Sequence, residues 1–172
     1  MDRLYSGWRL AFPPELGSDG LPHANLEPAD GKTLFETIEQ SGLDDEITYV
    51  VHRAPHTFAI LNVYPYASGH LMVLPRRAVR TLAELAPEVH AELWDTVRDA
   101  CEAAKAAFDA DGLNVGFNEG SAGGASQPDH LHVHVVPRRN GDTNFMTSLA
   151  ETRALPMTLS QSWQLLREHW PA

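Results

Sequence analysis

Hydrophobic positions along the chain fall into two rhythms. The stretches "EITYVVHR", "FAILNVY" and "HLMVLPRR" are short apolar, β-branched runs separated by "APHT" and "PYASG", which carry turn residues. They predict three consecutive antiparallel strands. "LNVGFN" and "HLHVHVV" add two more, linked by the glycine-rich "EGSAGGASQPD". The second rhythm is helical. In "APEVHAELWDTVRDACEAAKAAFDADG", Val89, Leu93, Val97, Ala100 or Cys101, Ala104 and Phe108 recur every three or four residues, Pro87 suits a first turn and Gly112 a stop. A long helix over 87–110, lying across the sheet, is predicted. "KTLFETIEQSG" predicts a short helix with Leu34, Phe35 and Ile38 on one side and Gly42 to end it. "TLSQSWQLLREHW" places Leu159, Trp163, Leu166 and Trp170 at helical spacing.

Residues 11–31 are rich in Pro, Gly, Asp and Asn, the composition of an irregular surface segment, and no internal repeat is present. The expected fold class is α+β: a five-stranded antiparallel sheet with a long helix packed on it. The expected organisation is one domain over 1–172, with an arm at 1–31, a core at 33–145 and a C-terminal helix at 156–170.

Composition narrows the function classes. At 172 residues and 43% hydrophobic content, the chain can bury one substantial core. Thirteen Lys and Arg against 23 Asp and Glu give a net charge of -10, which argues against broad adhesion to nucleic acid or an anionic membrane and leaves room for a local phosphate site. Cys101 is the sole cysteine, so there is neither an intramolecular disulfide nor a Cys-x-x-Cys zinc knuckle. The first thirty residues lack the apolar core of a signal peptide, and no 18-residue apolar run occurs. A cytoplasmic protein is expected.

The chemistry concentrates in "HLHVHVV", residues 130–136. On a helix, His130, His132 and His134 would not share a face, whereas on a strand they line one surface while Leu131, Val133 and Val135 enter the core. A lone histidine would be an ordinary surface residue; three in register specify a working face. A metal site is one reading, because imidazole ligates zinc. At about 3.3 Å per residue, the Cα atoms of His130 and His134 stand roughly 13 Å apart, which hinders convergence on one ion. Nucleophilic attack on phosphorus is the other reading, since a neutral imidazole needs no strong base. The preceding loop supports it: Gly120, Gly123 and Gly124 would let backbone N–H groups crowd a phosphate.

The "HLHVHVV" pattern resembles the signature of the histidine triad superfamily of nucleotidyl hydrolases and transferases. "FAILNVYPYASGHLMVLPRR" is similar to the family's upstream strand pair and "NEGSAGG" to the loop before its triad, so the resemblance covers about 33–145. "SGWRL", "NVYPYASGHLMVLP" and "HVVPRRNGDTNFM" resemble the actinobacterial branch that includes diadenosine tetraphosphate phosphorylases.

That resemblance implies a purine nucleotide or dinucleoside polyphosphate substrate, a nucleotidyl-histidine intermediate, water or inorganic phosphate as acceptor, no cofactor, and a homodimer. It makes His132 the nucleophile, with His130 and His134 flanking the phosphate and the His130 carbonyl orienting the nucleophilic ring. It assigns Asn62 to the ribose hydroxyls, and Leu34, Phe35, Ile38 and Ile60 to the base pocket or, equally, to core packing. Asn118 and Gly124 belong to the loop at the site, Ser126 and Gln127 compete for the leaving group, and His70 supports. Many bacterial relatives hold a structural zinc with Cys-x-x-Cys where this chain has Thr33 and Glu36, so no zinc is expected. Arg139 stands where the phosphorylase-like branch often has Trp. The other histidines, at 23, 52, 56, 90 and 169, carry no motif and are expected at the surface.

Overall fold

A computed structural model describes Leu26, residues 28–142 and residues 157–172. Most of the expected arm, His23, "SGWRL" and the end of the expected core after residue 142 lie outside the described residues. The elements run α1 (Leu34–Glu39), α2 (Asp45–Thr48), β1 (Val50–Arg53), β2 (Thr57–Leu61), β3 (Leu71–Pro75), α3 (Pro87–Phe108), β4 (Gly112–Phe117), β5 (Val133–Arg138) and α4 (Leu159–Glu168), with 3-10 turns at Leu82–Glu84 and Ser121–Gly123. The five strands form one antiparallel sheet in the order β1-β2-β3-β5-β4.

The sheet is covered on both faces over β2 and β3, which explains why these strands read as unbroken apolar runs rather than alternating ones. On one face Ala59, Leu61, Leu71, Val73, Val133 and Val135 pack with Leu93, Val97, Ala100 and Ala104 of α3 and Leu166 of α4. On the other, Phe58, Ile60, Met72 and Leu74 pack with Phe35 and Ile38 of α1. Strand periodicity therefore sends successive residues to two different cores.

At β1 and at the end of α3 the boundaries differ from the sequence-based expectation. "EITYVVHR" is not strand throughout: Asp45–Thr48 closes a single helical turn, with Asp45 and Glu46 at its positive end, and Tyr49 at φ 57 swings the chain into β1. Gly112 does not stop α3 but opens β4; the helix ends earlier at Asp109, whose φ of 47 lies in the left-handed region that aspartate tolerates. Arg139 secures that end, donating from Nε to the Phe108 carbonyl at 3.0 Å and from its second terminal nitrogen to the same oxygen.

α1 and α4 are both tied to the sheet. Thr33 and Glu36 close a reciprocal capping box on α1, and the buried Glu39 carboxylate meets Arg53 at 2.9 Å and Arg76 at 2.6 Å. α4 lies along the outer edge of β1, where Trp163 Nε1 donates to the Val50 carbonyl at 2.9 Å and Arg167 to that of Val51 at 3.0 Å. His52, expected simply at the surface, is half-buried with its ring stacked on Trp170 at 4.8 Å. His56, His90 and His169 are exposed. No helix among the described residues is long and apolar enough to cross a membrane.

Candidate active site

The histidine row joins the sheet late. β5 begins at Val133, and before it Leu131 donates its backbone N–H at 2.7 Å to the carbonyl of Val79, in the loop after β3, rather than to a neighbouring strand. The alternation still holds. Leu131, Val133 and Val135 enter the α3 core, while His132 and His134 line a cavity on the opposite face. His130 and His132 are only 1% and 3% exposed, so the working face is a buried one.

Hydrogen bonding decides which nitrogen of each ring carries the proton. His132 Nδ1 lies 2.8 Å from the His130 carbonyl oxygen. A carbonyl can only accept, so Nδ1 holds the hydrogen and Nε2 of the neutral ring keeps its lone pair. His130 Nε2 donates to the Pro75 carbonyl at 2.8 Å, which leaves His130 Nδ1 to accept from the Thr33 hydroxyl at 2.8 Å. His70 receives the Tyr66 backbone N–H on Nδ1 at 3.1 Å and so donates from Nε2 to His134 Nδ1 at 2.9 Å. Neutral His134 then carries its hydrogen on Nε2. Two neighbouring rings with centroids 4.9 Å apart thus have opposite tautomers, a lone pair on His132 Nε2 and an N–H on His134 Nε2.

Burial pushes the pKa of His132 below the ordinary histidine value, partly offset by its bond to the His130 carbonyl. Burial lowers His130 as well, opposed by the Pro75 carbonyl and the Glu36 charge and reinforced by His132. Both rings are therefore neutral near pH 7. For Glu36, burial acts to raise the pKa but is outweighed by backbone N–H groups of Thr33 and Ala78, the Thr33 hydroxyl and His130, which hold it low.

The cavity, of about 320 Å³, has an apolar end made by Leu34, Phe35, Ile38, Ile60 and Met72, and a polar end with Asn62, Ser126, Gln127, His132 and His134. Asn62 Oδ1 accepts the Tyr64 backbone N–H at 2.9 Å, so the amide nitrogen faces His70 Nδ1 at 3.4 Å. One oxygen lone pair and one N–H remain for a ligand. Ser126 and Gln127 both reach the cavity, so the longer loop excludes neither.

The glycine-rich loop departs from its expected role. The N–H groups of Gly123, Gly124 and Ala125 turn back to the carbonyls of Gly120, Ser121 and Gly120 at 3.1, 3.1 and 3.2 Å. They close the 3-10 turn instead of cradling an anion, and neither Gly124 nor Asn118 lines the cavity. The glycines serve conformation: Gly120 and Gly124 have φ of 69° and 90°. His130 also sits behind the cavity wall rather than in it.

Sequence reasoning missed Tyr64 and Tyr66, which line the cavity. Tyr66 lies over His70 with ring centroids 4.5 Å apart; its position in "PYASGH" was a usable signal only once His70 was known to be buried. His70, fully buried, is closer to the chemistry than a general supporting role suggested. Gly69, just before it, sits at φ +78 against the Phe108 ring, which a Cβ there would meet at 2.1 Å.

The position at which the family resemblance implies a structural zinc, Thr33 and Glu36, does not fit that ion here. A threonine hydroxyl is a poor zinc ligand, the Glu36 carboxylate is engaged by the backbone N–H groups of Thr33 and Ala78, and both His130 nitrogens are taken by Thr33 and Pro75. Among the described residues, no group of three or more His, Cys, Asp or Glu side chains is arranged to hold a metal.

Residues 45–141 match the family model of the HIT domain. An AP-4-A phosphorylase of Mycobacterium tuberculosis is 38% identical over 170 residues, spanning 99% of this chain and 85% of the relative. An asymmetrical bis(5'-nucleosyl)-tetraphosphatase of Schizosaccharomyces pombe is 34% identical over 93 residues, 54% of this chain and 50% of its own. Among solved structures, a zinc-bound histidine triad family protein from Mycobacterium smegmatis superposes with a TM-score of 0.64 at 27% identity, covering 79% of this chain and 91% of that one. With a family match over more than half its length and a relative 38% identical along nearly all of it, the chain belongs to the histidine triad family.

Proposed function

We propose that the protein is a nucleotidyl hydrolase or transferase that cleaves a dinucleoside polyphosphate or related adenylyl compound through a nucleotidyl intermediate on His132. The observation that carries this reading is the 2.8 Å bond from His132 Nδ1 to the His130 carbonyl, which leaves the Nε2 lone pair at the cavity. That lone pair attacks the α-phosphorus; an N–P bond forms and the bond to the bridging oxygen breaks. The polyphosphate leaves with the electron pair as an anion, and Ser126 or Gln127, at the cavity wall, donates a hydrogen bond to it. Inorganic phosphate, or water releasing its proton to solvent, then attacks the same phosphorus; an O–P bond forms and the N–P bond breaks, its electron pair returning to Nε2. His134 Nε2–H stabilises the charge that develops on the phosphoryl oxygens.

The base occupies the apolar end between Leu34, Phe35, Ile38 and Ile60, and Asn62 takes the ribose hydroxyls with its remaining donor and acceptor. The name of the near-full-length mycobacterial relative favours inorganic phosphate as acceptor. Arg139, spent on the end of α3, takes no part in that choice.

The protein acts as a homodimer. The outer edge of β1 is covered by α4, whereas β4 is the other edge strand, with Val115 44% exposed. A reducing, cytoplasmic setting suits its single free thiol, Cys101.

A single turnover with labelled diadenosine tetraphosphate, quenched without acid, tests the reaction. The expected result is a labelled adduct on His132 that resolves to AMP in buffer and to ADP when inorganic phosphate is present. Turnover without any adduct would overturn the reading.

A further inference from the structure

We propose that Thr33 is a positioning residue for this reaction: its hydroxyl fixes both the carbonyl that aims His132 and the helix that walls the base end of the cavity. The inference rests on the assignment of His132 as nucleophile.

The hydroxyl has one hydrogen to give, and two acceptors lie near it, His130 Nδ1 at 2.8 Å and Glu36 Oε2 at 3.2 Å. The Glu36 carboxylate is satisfied without it, because Oε2 accepts the Thr33 backbone N–H at 2.9 Å and Oε1 accepts that of Ala78 at 3.0 Å. His130, with its hydrogen on Nε2, requires a donor at Nδ1. The hydrogen therefore belongs to His130, and the oxygen lone pairs accept the Glu36 N–H at 3.3 Å as a helix cap. A single side chain thus joins α1 to the histidine row across 97 positions of sequence.

This junction matters because residues 130–132 precede the β5 ladder. The His130 backbone is held by Gln127 O at 3.3 Å, and its ring is bolted at both nitrogens, to Pro75 and to Thr33. Those anchors set the position of the His130 carbonyl, which holds His132 Nδ1–H. As Nε2 bonds to phosphorus the ring becomes cationic, and the Nδ1–H bond to that carbonyl strengthens, so an error in its position is felt most in the transition state. Phe35, two residues after Thr33, packs edge-on against His130 at 5.5 Å and against His132 at 5.7 Å. Base-pocket wall and nucleophile therefore share one anchor.

Three substitutions separate positioning from simple capping. Thr33→Ser keeps donor and cap, Thr33→Val removes both, and Thr33→Asp keeps a good cap but has no hydrogen to donate at neutral pH. The rate of adduct formation is expected to fall roughly tenfold in the Val and Asp variants, as for loss of an orienting partner, while Ser stays within about twofold. Binding of a non-hydrolysable dinucleotide analogue is expected to change less than about threefold in the Ser and Asp variants, which keep the cap on α1, and the Asp variant to melt at the wild-type temperature. Nitrogen-labelled imidazole NMR is expected to show His130 Nδ1 unprotonated in the wild type, and its titration to move up in the Asp variant, whose carboxylate favours the cation.

A wild-type rate in the Asp variant, a Ser variant as slow as Val, or a loss confined to affinity would overturn the proposal. If the wild type forms no adduct, the nucleophile assignment fails. An unmoved His130 titration in the Asp variant would refute the Thr33 contact by itself. Should the Val variant fail to fold, the Ser and Asp variants carry the test.

Discussion

His70 donates its Nε2 hydrogen to Nδ1 of His134 across 2.9 Å, linking a strand-entry residue of β3 to the cavity wall on β5. The direction of that bond is set by a third group, the Tyr66 backbone N–H on His70 Nδ1 at 3.1 Å. His134 is thereby kept with its own hydrogen on Nε2. Replacing His70 with Ala is expected to lower kcat about ten- to a hundredfold with little change in KM, the usual cost of losing an orienting partner. The vacated donors and acceptors should cost about 1–3 kcal/mol of stability. Steady-state kinetics and urea unfolding check both, and NMR of His134 should show loss of the single tautomer. A KM effect without a kcat effect would mean that His70 only shapes the cavity.

His132→Asn separates binding from chemistry. The Asn amide can still donate to the His130 carbonyl, which otherwise would be left buried without its partner. The fold and the affinity for a non-hydrolysable analogue should therefore survive, while turnover falls by more than about a thousandfold because the amide has no nucleophilic lone pair. His130→Asn and His134→Asn should lose less. Substantial activity in His132→Asn, with none in His130→Asn, would reverse the assigned roles.

The legible part of this site was what local pattern encodes. Alternation in "HLHVHVV" separates His132 and His134 from Val133 and Val135, and the helical spacing of Leu34, Phe35 and Ile38 presents them together at the cavity. Thr33 and Glu36 also have the spacing of a capping box. The bond from Thr33 to His130 has no local signature, because it depends on how α1 docks after the sheet forms. The loop glycines were ambiguous in kind: the same residues that let amides face an anion also let a 3-10 turn close, and here Gly123, Gly124 and Ala125 bond within the turn. "DEIT" shows tertiary context overriding β propensity, with four residues coiling before Tyr49 redirects the chain.

Acid should affect stability and catalysis through the same buried rings. Burial lowers the folded-state pKa of His132 and His130, so the unfolded chain binds protons that the folded one refuses. Their contribution to stability is present above the unfolded value of about 6.5 and is lost as pH falls through the lower folded values. Urea unfolding between about pH 7.5 and 5 should show stability declining over that window. The acid limb of kcat/KM, which follows neutral His132, should likewise lie below about 6.5. An acid limb above that value would assign it to a group other than this buried ring.

The two edges of the sheet differ in a way that predicts assembly. β1 cannot recruit another strand along the carbonyls already taken by Trp163 and Arg167 of α4. β4 pairs with β5 on one side only, and its residues Asn114, Val115 and Gly116 are exposed. An uncovered edge with an apolar side chain at its centre is a template for a second strand, and twofold pairing of β4 with its copy would extend five strands to a closed set of ten. Val115→Lys places like charges near each other across that axis and leaves them to be desolvated, so the variant is expected to sediment as a monomer where the wild type is a dimer at micromolar concentration. His134 stands on β5, next to β4, but Val115 pairs with Val135, whose side chain enters the α3 core on the face opposite the cavity, so the monomeric variant should still bind a non-hydrolysable dinucleotide analogue with near wild-type affinity. A Val115→Lys protein that remains dimeric would place the interface elsewhere, and a monomeric wild type would remove the dimer altogether.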